Sequence, residues 1–357
     1  MTMEMLHTPE FSTPTPRPLF EAKRPVDKRR IVGPERTATH SGKLGDIIYA
    51  LPAVRALGIR HLILNVIEAS EDPLRVFPFA AAQQLVPLLL AQNYLERVSI
   101  VKYDAPLDDF GPKFPGVDYN FDFFRRVARH RVGKSILNLT PRFAAFAPED
   151  PPAHLCEIFS AALGIRADFE APWLHAPASP LTKNRIVISI TKNWRSYPNW
   201  YWKELLRGLP QLSFVGHAAE WKAAGIPGAE FIPAADHFEL ASLIQGARLF
   251  LGTVSFPYAI AEGLKVTRAV EICHRNLNAF PVGPRGNVLP PNIRAARALV
   301  ARLLADDCPA TYQTSISPRR WLDAQRLRLR FVFTRANESY TTYLKHRVRC
   351  VIRRKTV

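Results

Sequence analysis

Apolar positions along the chain fall into two series of short strand-like runs alternating with helical stripes, and a proline-rich stretch separates the series. In the first series, residues 37–40, 61–65, 98–102 and 134–138 read as buried strands, being short apolar or β-branched runs. Residues 45–57 carry Ile47, Ile48, Leu51, Val54 and Leu57 on one face near the 3.6-residue period, which predicts a helix. Residues 78–92 and 154–163 predict two more, the second ending at Gly164. In the second series the expected strands are 185–190, 212–215, 231–232, 248–251 and 268–273. The expected helices are 200–207, 218–224, 237–246, 256–263 and 292–305.

Strands alternating with helices predict parallel sheets covered by helices. Two such series predict two Rossmann-like lobes with a cleft between them, an α/β fold. The expected organisation is a disordered, Pro-rich leader over 1–35, an N-terminal lobe over 36–165 and a linker over 166–184 containing Pro172, Pro177 and Pro180. A C-terminal lobe over 185–316 and a basic, amphipathic helical tail over 317–357 follow. No internal repeat of solenoid period is present.

Composition narrows the classes. At 357 residues the chain is long enough for two full cores. Its four cysteines, Cys156, Cys273, Cys308 and Cys350, lie far apart without a CxxC or Cys/His cluster, which argues against a zinc site and a disulfide framework. No apolar secretory segment opens the sequence and no apolar run reaches the length of a membrane span, so the expected location is the cytoplasm. The net charge of +17 is uneven: residues 319–357 hold twelve Lys/Arg against two Asp/Glu. A tail of that kind attracts an anionic surface such as lipid headgroups, nucleic acid or a polyanionic glycan.

The segment His40-Ser41-Gly42-Lys43-Leu44-Gly45-Asp46 carries the clearest candidate chemistry. A strand, a small-residue turn and a helix start present free backbone N–H groups and a positive dipole end, a geometry suited to an anion. Asp46 there reads equally as a residue that favours the helix start and as a functional carboxylate at the carboxyl edge of a sheet.

Leu44-Gly45-Asp46-Ile47-Ile48, residues 189–198 and residues 240–263, three segments spread over roughly residues 36–305, together resemble glycosyltransferase family 9, the bacterial heptosyltransferase-like enzymes. Leu44-Gly45-Asp46-Ile47-Ile48, with Leu51-Pro52 and Ala56-Leu57, resembles the family's N-terminal signature. Residues 189–198, with Thr191, Lys192 and Arg195, followed by Trp202-Lys203-Glu204-Leu205, are similar to its segment after the first strand of the C-terminal lobe. Residues 240–244, 247–252 and 255–263 are similar to its third signature. The resemblance implies a GT-B fold and an inverting, metal-independent transfer that needs no cofactor beyond a nucleotide-sugar donor. It implies Asp46 as the general base, with Thr191, Lys192 and Arg195 meeting the donor diphosphate. Two positions depart from the family. Val254-Ser255-Phe256 stands where Asp-Ser-Gly is common, and Ala259 stands where the family has His, which leaves the identity of the sugar open.

Further candidates are Ser255 and Glu262 on the donor side, with Glu271 beside them, and His40 and Lys43 on the acceptor side. Each also has an ordinary reading as a cap, an ion pair, a strand-end histidine or a solvated lysine. In the aromatic group Trp194, Tyr197, Trp200, Tyr201 and Trp202, helical spacing assigns Trp202 to the core, while Trp194 or Tyr197 is a candidate for stacking on a sugar or base. His217 and His237 lack metal-ligand spacing, so no metal site is expected. The resulting expectation is a glycosyltransferase acting on a glycan or lipid-linked acceptor, with peripheral contact to an anionic membrane through the tail and no nucleic-acid partner. A non-catalytic GT-B-like binding protein that tethers glycan or nucleic acid through the tail is the alternative, and a nucleotide-sugar epimerase is another.

Overall fold

Residues 16–24, 35–69, 76–102, 116–121, 154–161, 165, 167–192, 195–273 and 278–305 are described by a computed structural model of the chain. The strand expected at 134–138, the tail at 317–357, and Trp194 lie outside these residues. Contacts divide the chain into two compact units.

The first unit is built on a five-stranded sheet. Its strands are β1 (Arg17–Lys23), β2 (Arg36–His40), β3 (Ile59–Val66), β4 (Arg97–Lys102) and β5 (Tyr119–Asn120), in the order β1-β4-β3-β2-β5. Strands β2 to β5 are parallel, with His40 opposite Leu64 and Leu64 opposite Ile100. Helices α1 (Leu44–Ala56) and α2 (Phe79–Leu90) provide the crossovers, and α1 buries every residue from Ile47 to Val54. Helix α3 (Leu155–Ala161) contributes Phe159 to this unit.

Strand β1 corrects the expectation of a disordered leader for residues 17–23, since it pairs antiparallel with β4 along the sheet edge. Charges that make this segment read as solvated are paired within β1 and with β4, where Arg97 Nη1 lies 3.8 Å from Glu21 Oε2. Lys23 reaches Glu21 at 2.9 Å, and Ser99 Oγ donates to Glu21 Oε2 at 3.2 Å. Behind them His61 Nε2 meets Ser99 Oγ at 2.9 Å.

The second unit holds a six-stranded, wholly parallel sheet. It comprises β6 (Ile186–Ser189), β7 (Leu212–Phe214), β8 (Glu230–Phe231), β9 (Leu249–Thr253), β10 (Arg268–Glu271) and β11 (Gly286–Val288), in the order β11-β10-β9-β6-β7-β8. Numbered within the unit this is 3-2-1-4-5-6, the doubly wound order whose direction reverses between the first and fourth strands. Helices α4 (Asn199–Leu206), α5 (Ala218–Ala224), α6 (His237–Gln245), α7 (Phe256–Leu264) and α8 (Ile293–Leu304) connect and cover the strands. Ile186, Ile188, Phe214 and Leu251 from the sheet pack with Tyr201, Trp202 and Leu205 of α4 and Val300 of α8.

From Asp168 onward the stretch read as a linker belongs to this second unit. The Trp173 and Leu174 amides both donate to the Gly263 carbonyl, at 3.0 and 3.1 Å, and Thr182 Oγ1 donates to the Leu243 carbonyl at 2.7 Å. A Cβ on Gly263 would come within 2.7 Å of Leu174 Cδ1, so glycine is what lets this arm lie against α7.

Candidate active site

In the first unit the strand order reverses beside β2, which has β3 on one side and β5 on the other. The carboxyl end of β2 is therefore the switch point of this sheet, the position where open α/β folds receive ligands. His40 ends β2, and residues 41–43 lead directly into α1. His40 Nδ1 accepts the Gly42 N–H at 2.9 Å, which puts the ring proton on Nε2 in the neutral form. Asp46 occupies the first turn of α1 and stays partly exposed, beside backbone N–H groups that have no partner inside the helix. Lys43 precedes the helix, is exposed, and donates from Nζ to the Val76 carbonyl at 3.2 Å.

The histidine differs from expectation. His40 is completely buried, with its ring 6.0 Å from Phe121 and 5.5 Å from Phe159, so it shapes the turn rather than facing an acceptor. No Cβ fits at Gly42, where it would lie 2.5 Å from His40 Cε1 and 3.3 Å from Asp46 Cβ.

In the second unit the switch point lies between β6 and β9. The Thr191 N–H donates to Thr253 Oγ1 at 3.0 Å, and the two hydroxyl oxygens are 3.3 Å apart, so one residue pair joins the carboxyl ends of both strands. Ser189 Oγ at the end of β6 is buried with no hydrogen-bond partner among the described residues. Ser255 caps α7, accepting the Tyr258 N–H at 3.4 Å. Lys192 is exposed beyond Thr191. Arg195 stands before α4 and donates to Asn199 Oδ1 on the first residue of that helix. Thr191, Ser255 and Arg195 thus belong to one sheet edge, whose hydroxyls, amides and guanidinium are donors suited to an anion.

Glu262 does not belong to that edge. It is fully buried, with Oε1 2.6 Å from Lys265 Nζ and Oε2 2.5 Å from Arg268 Nε, and the Val282 N–H also donates to Oε1 at 3.0 Å. Burial alone would raise its pKa, but Arg268 and Lys265 overcome that and hold it down at about 2. Its acceptor capacity is spent inside the protein, which corrects the donor-contact expectation. Tyr197 is likewise core, packed 4.3 Å from the Tyr201 ring and donating its hydroxyl to the Leu289 carbonyl. Trp200 is the member of the aromatic group that the described structure leaves exposed. Val254 and Ala259, at the positions that depart from the family, are both buried.

Sequence reasoning missed Thr253, the partner of Thr191. Its signal is a lone hydroxyl residue closing an apolar strand at the carboxyl end. Among the described residues no group of three or more His, Cys, Asp or Glu side chains could hold a metal ion, and no helix is long and apolar enough to cross a membrane.

No family model and no curated protein matches the sequence. Solved structures are similar in fold. A glycosyl transferase family 9 protein from Veillonella parvula is similar over 71% of this chain and 85% of its own, at 10% identity and a TM-score of 0.44. The E. coli heptosyltransferase WaaC, solved with ADP-2-deoxy-2-fluoro heptose, is similar over 77% of this chain and 100% of its own, at 13% identity and a TM-score of 0.45.

Proposed function

We propose that this chain is a glycosyltransferase of GT-B organisation that moves a sugar from a nucleotide-sugar donor to a glycan or lipid-linked acceptor. The observation that carries the reading is the strand order. The segment bearing Asp46 follows the switch-point strand of one sheet, and the segments bearing Thr191, Arg195 and Ser255 follow the two switch-point strands of the other. Those are the segments whose residues resemble the family signatures.

In this reading Asp46 takes the proton of an acceptor hydroxyl while that oxygen attacks the anomeric carbon. The bond from the anomeric carbon to the diphosphate oxygen breaks, and its electron pair leaves with the nucleoside diphosphate. Arg195 and Lys192, with the Thr191 and Ser255 hydroxyls and the first amides of α7, stabilise that developing charge without a metal. Attack opposite the leaving group inverts the anomeric centre. The basic tail supplies attraction to an anionic membrane on the cytoplasmic side, where a lipid-linked acceptor would be met.

Asp46→Asn tests the assignment. Transfer from a panel of nucleotide sugars should fall by about 100-fold or more, the range of a general base's contribution, with fold and nucleoside diphosphate binding unchanged. Full activity in this variant would overturn the role of Asp46. Val254 and Ala259, apolar where the family has Asp and His, favour the second reading, a binding protein without turnover. Tight nucleotide binding with no transfer or hydrolysis by the native chain would select it.

A further inference from the structure

Glu271 ends β10 and reaches the turn that follows β6. Its Oε1 accepts the backbone N–H groups of both Ser196 and Tyr197, and its Oε2 accepts the Trp202 indole N–H at 2.9 Å. The side chain is completely buried. Ser196 directly follows Arg195, and Trp202 lies on α4, the helix whose first residue receives the Arg195 guanidinium. One carboxylate therefore ties a strand, a turn and a helix together immediately behind the cation assigned to the diphosphate. Burying a carboxylate is costly, and an apolar side chain would fill the same space without that cost. What an apolar side chain cannot do is hold two consecutive backbone amides pointing inward.

We propose that Glu271 is a positioning residue for the diphosphate-binding turn, fixing Arg195 through the Ser196 and Tyr197 amides, and that it does so as the carboxylate. The ligand in this inference rests on the glycosyltransferase reading; the anchoring of the turn does not. Burial pushes the Glu271 carboxyl up to about 7, against the pull of the Tyr197 and Ser196 amides, the Trp202 indole and Arg195. Tyr197 and Tyr201 also face it, and burial raises both phenols, so they stay neutral. On protonation one carboxyl oxygen becomes a donor and gives up acceptor capacity that the three N–H groups use.

The test uses the full chain and measures ADP and UDP affinity calorimetrically at about pH 6 and about pH 8, on either side of the Glu271 midpoint. Glu271→Gln should bind the preferred nucleotide about tenfold more weakly at the higher pH, the equivalent of one charge-assisted hydrogen bond. Ligand protonation is common to both proteins, so the pH dependence present only in the native chain belongs to Glu271. A purely electrostatic role predicts the opposite sign, because removing a negative charge behind the site would tighten anion binding. Equal or tighter binding by a folded Glu271→Gln protein would therefore overturn the proposal.

A second readout needs no nucleotide. Exchange of the Ser196 and Tyr197 amides and the Trp202 indole resonance should titrate together near neutral pH in the native chain and not in the variant. If they stay constant, Glu271 does not govern the turn. If they titrate but the native chain binds neither nucleotide, the glycosyltransferase reading and the ligand assignment fall while the anchor stands. Should Glu271→Gln not fold, Trp202→Phe removes one donor and keeps a ring. The titration midpoint should then move upward, and an unmoved midpoint would count against the proposal.

Discussion

A missing methyl group sets the geometry of the turn after β2. The His40 ring that a Gly42 side chain would strike is wedged beside Phe121 and Phe159 and has no room to retreat. Gly42→Ala should destabilise the protein by about 1–3 kcal/mol, as overpacking does, measured by chemical denaturation. Any transfer activity of the folded fraction should also fall, because Asp46 lies against the same spot. Glu262 shows a different logic. Its helix, α7, is buried from Pro257 to Leu264, so it has no solvent face on which a carboxylate could sit. An ionised group inside an apolar helix requires buried cations, and Lys265 and Arg268 follow it in sequence. Of the two readings the sequence allows for Glu262, a donor contact and an ion pair, the structure shows the ion pair. Glu262→Ala leaves two cations buried without their partner and should cost about 3–5 kcal/mol. Nucleotide affinity of the folded fraction should stay unchanged, which separates a structural carboxylate from a donor contact.

Elements were legible where hydrophobic periodicity was long enough to count. Strands β2, β3, β4, β6, β7, β9 and β10 and the helices described lie within a few residues of their expected positions. Strands β5 and β11, two and three residues long, lie in stretches without an apolar run of their own, and each is held by pairing with one neighbouring strand. Strand β1 was missed because its charges and prolines resemble a solvated leader. Its stability comes from a partner about eighty residues away, which no local window contains. At the site, the Asp46 turn and the Thr191 to Arg195 segment were visible as motifs. The roles of Thr253 and Glu271 depend on strand order, which periodicity does not encode. Removing residues 1–24 should bare the edge of β4, whose Val98, Ile100 and Val101 are buried in the intact sheet. The truncated chain should self-associate in light scattering where the full chain does not, since an unpaired apolar edge recruits other strands.

Across the whole molecule, buried titratable groups set a pH window for stability. Burial lowers His61 in the first unit and His154 in the second to about 4 each. Unfolded histidines take up protons near pH 6.5, so both contributions are present above that value and are lost as pH falls toward 4. Glu271 acts in the opposite sense. Its raised pKa makes its contribution greatest below about 4.5 and lost as pH rises to about 7. Glu220, also raised by burial, adds to the Glu271 side with a smaller shift, so the two histidines predict net loss of stability on acidification between about pH 6.5 and 4.5, measurable by denaturant titration across that range. Glu271→Gln should steepen that loss by removing the offset. The all-parallel second sheet also has a consequence for biosynthesis. Ile186 of β6 pairs with Leu249 of β9, about sixty residues later, so the centre of the sheet closes only after the three intervening crossovers through α4, α5 and α6 exist. During translation, β6 with β7 and β8 emerges as a half-sheet whose β6 edge lacks the partner it has in the finished sheet. At ribosomal speed that edge waits several seconds for β9, an interval in which a chaperone would have the most to protect.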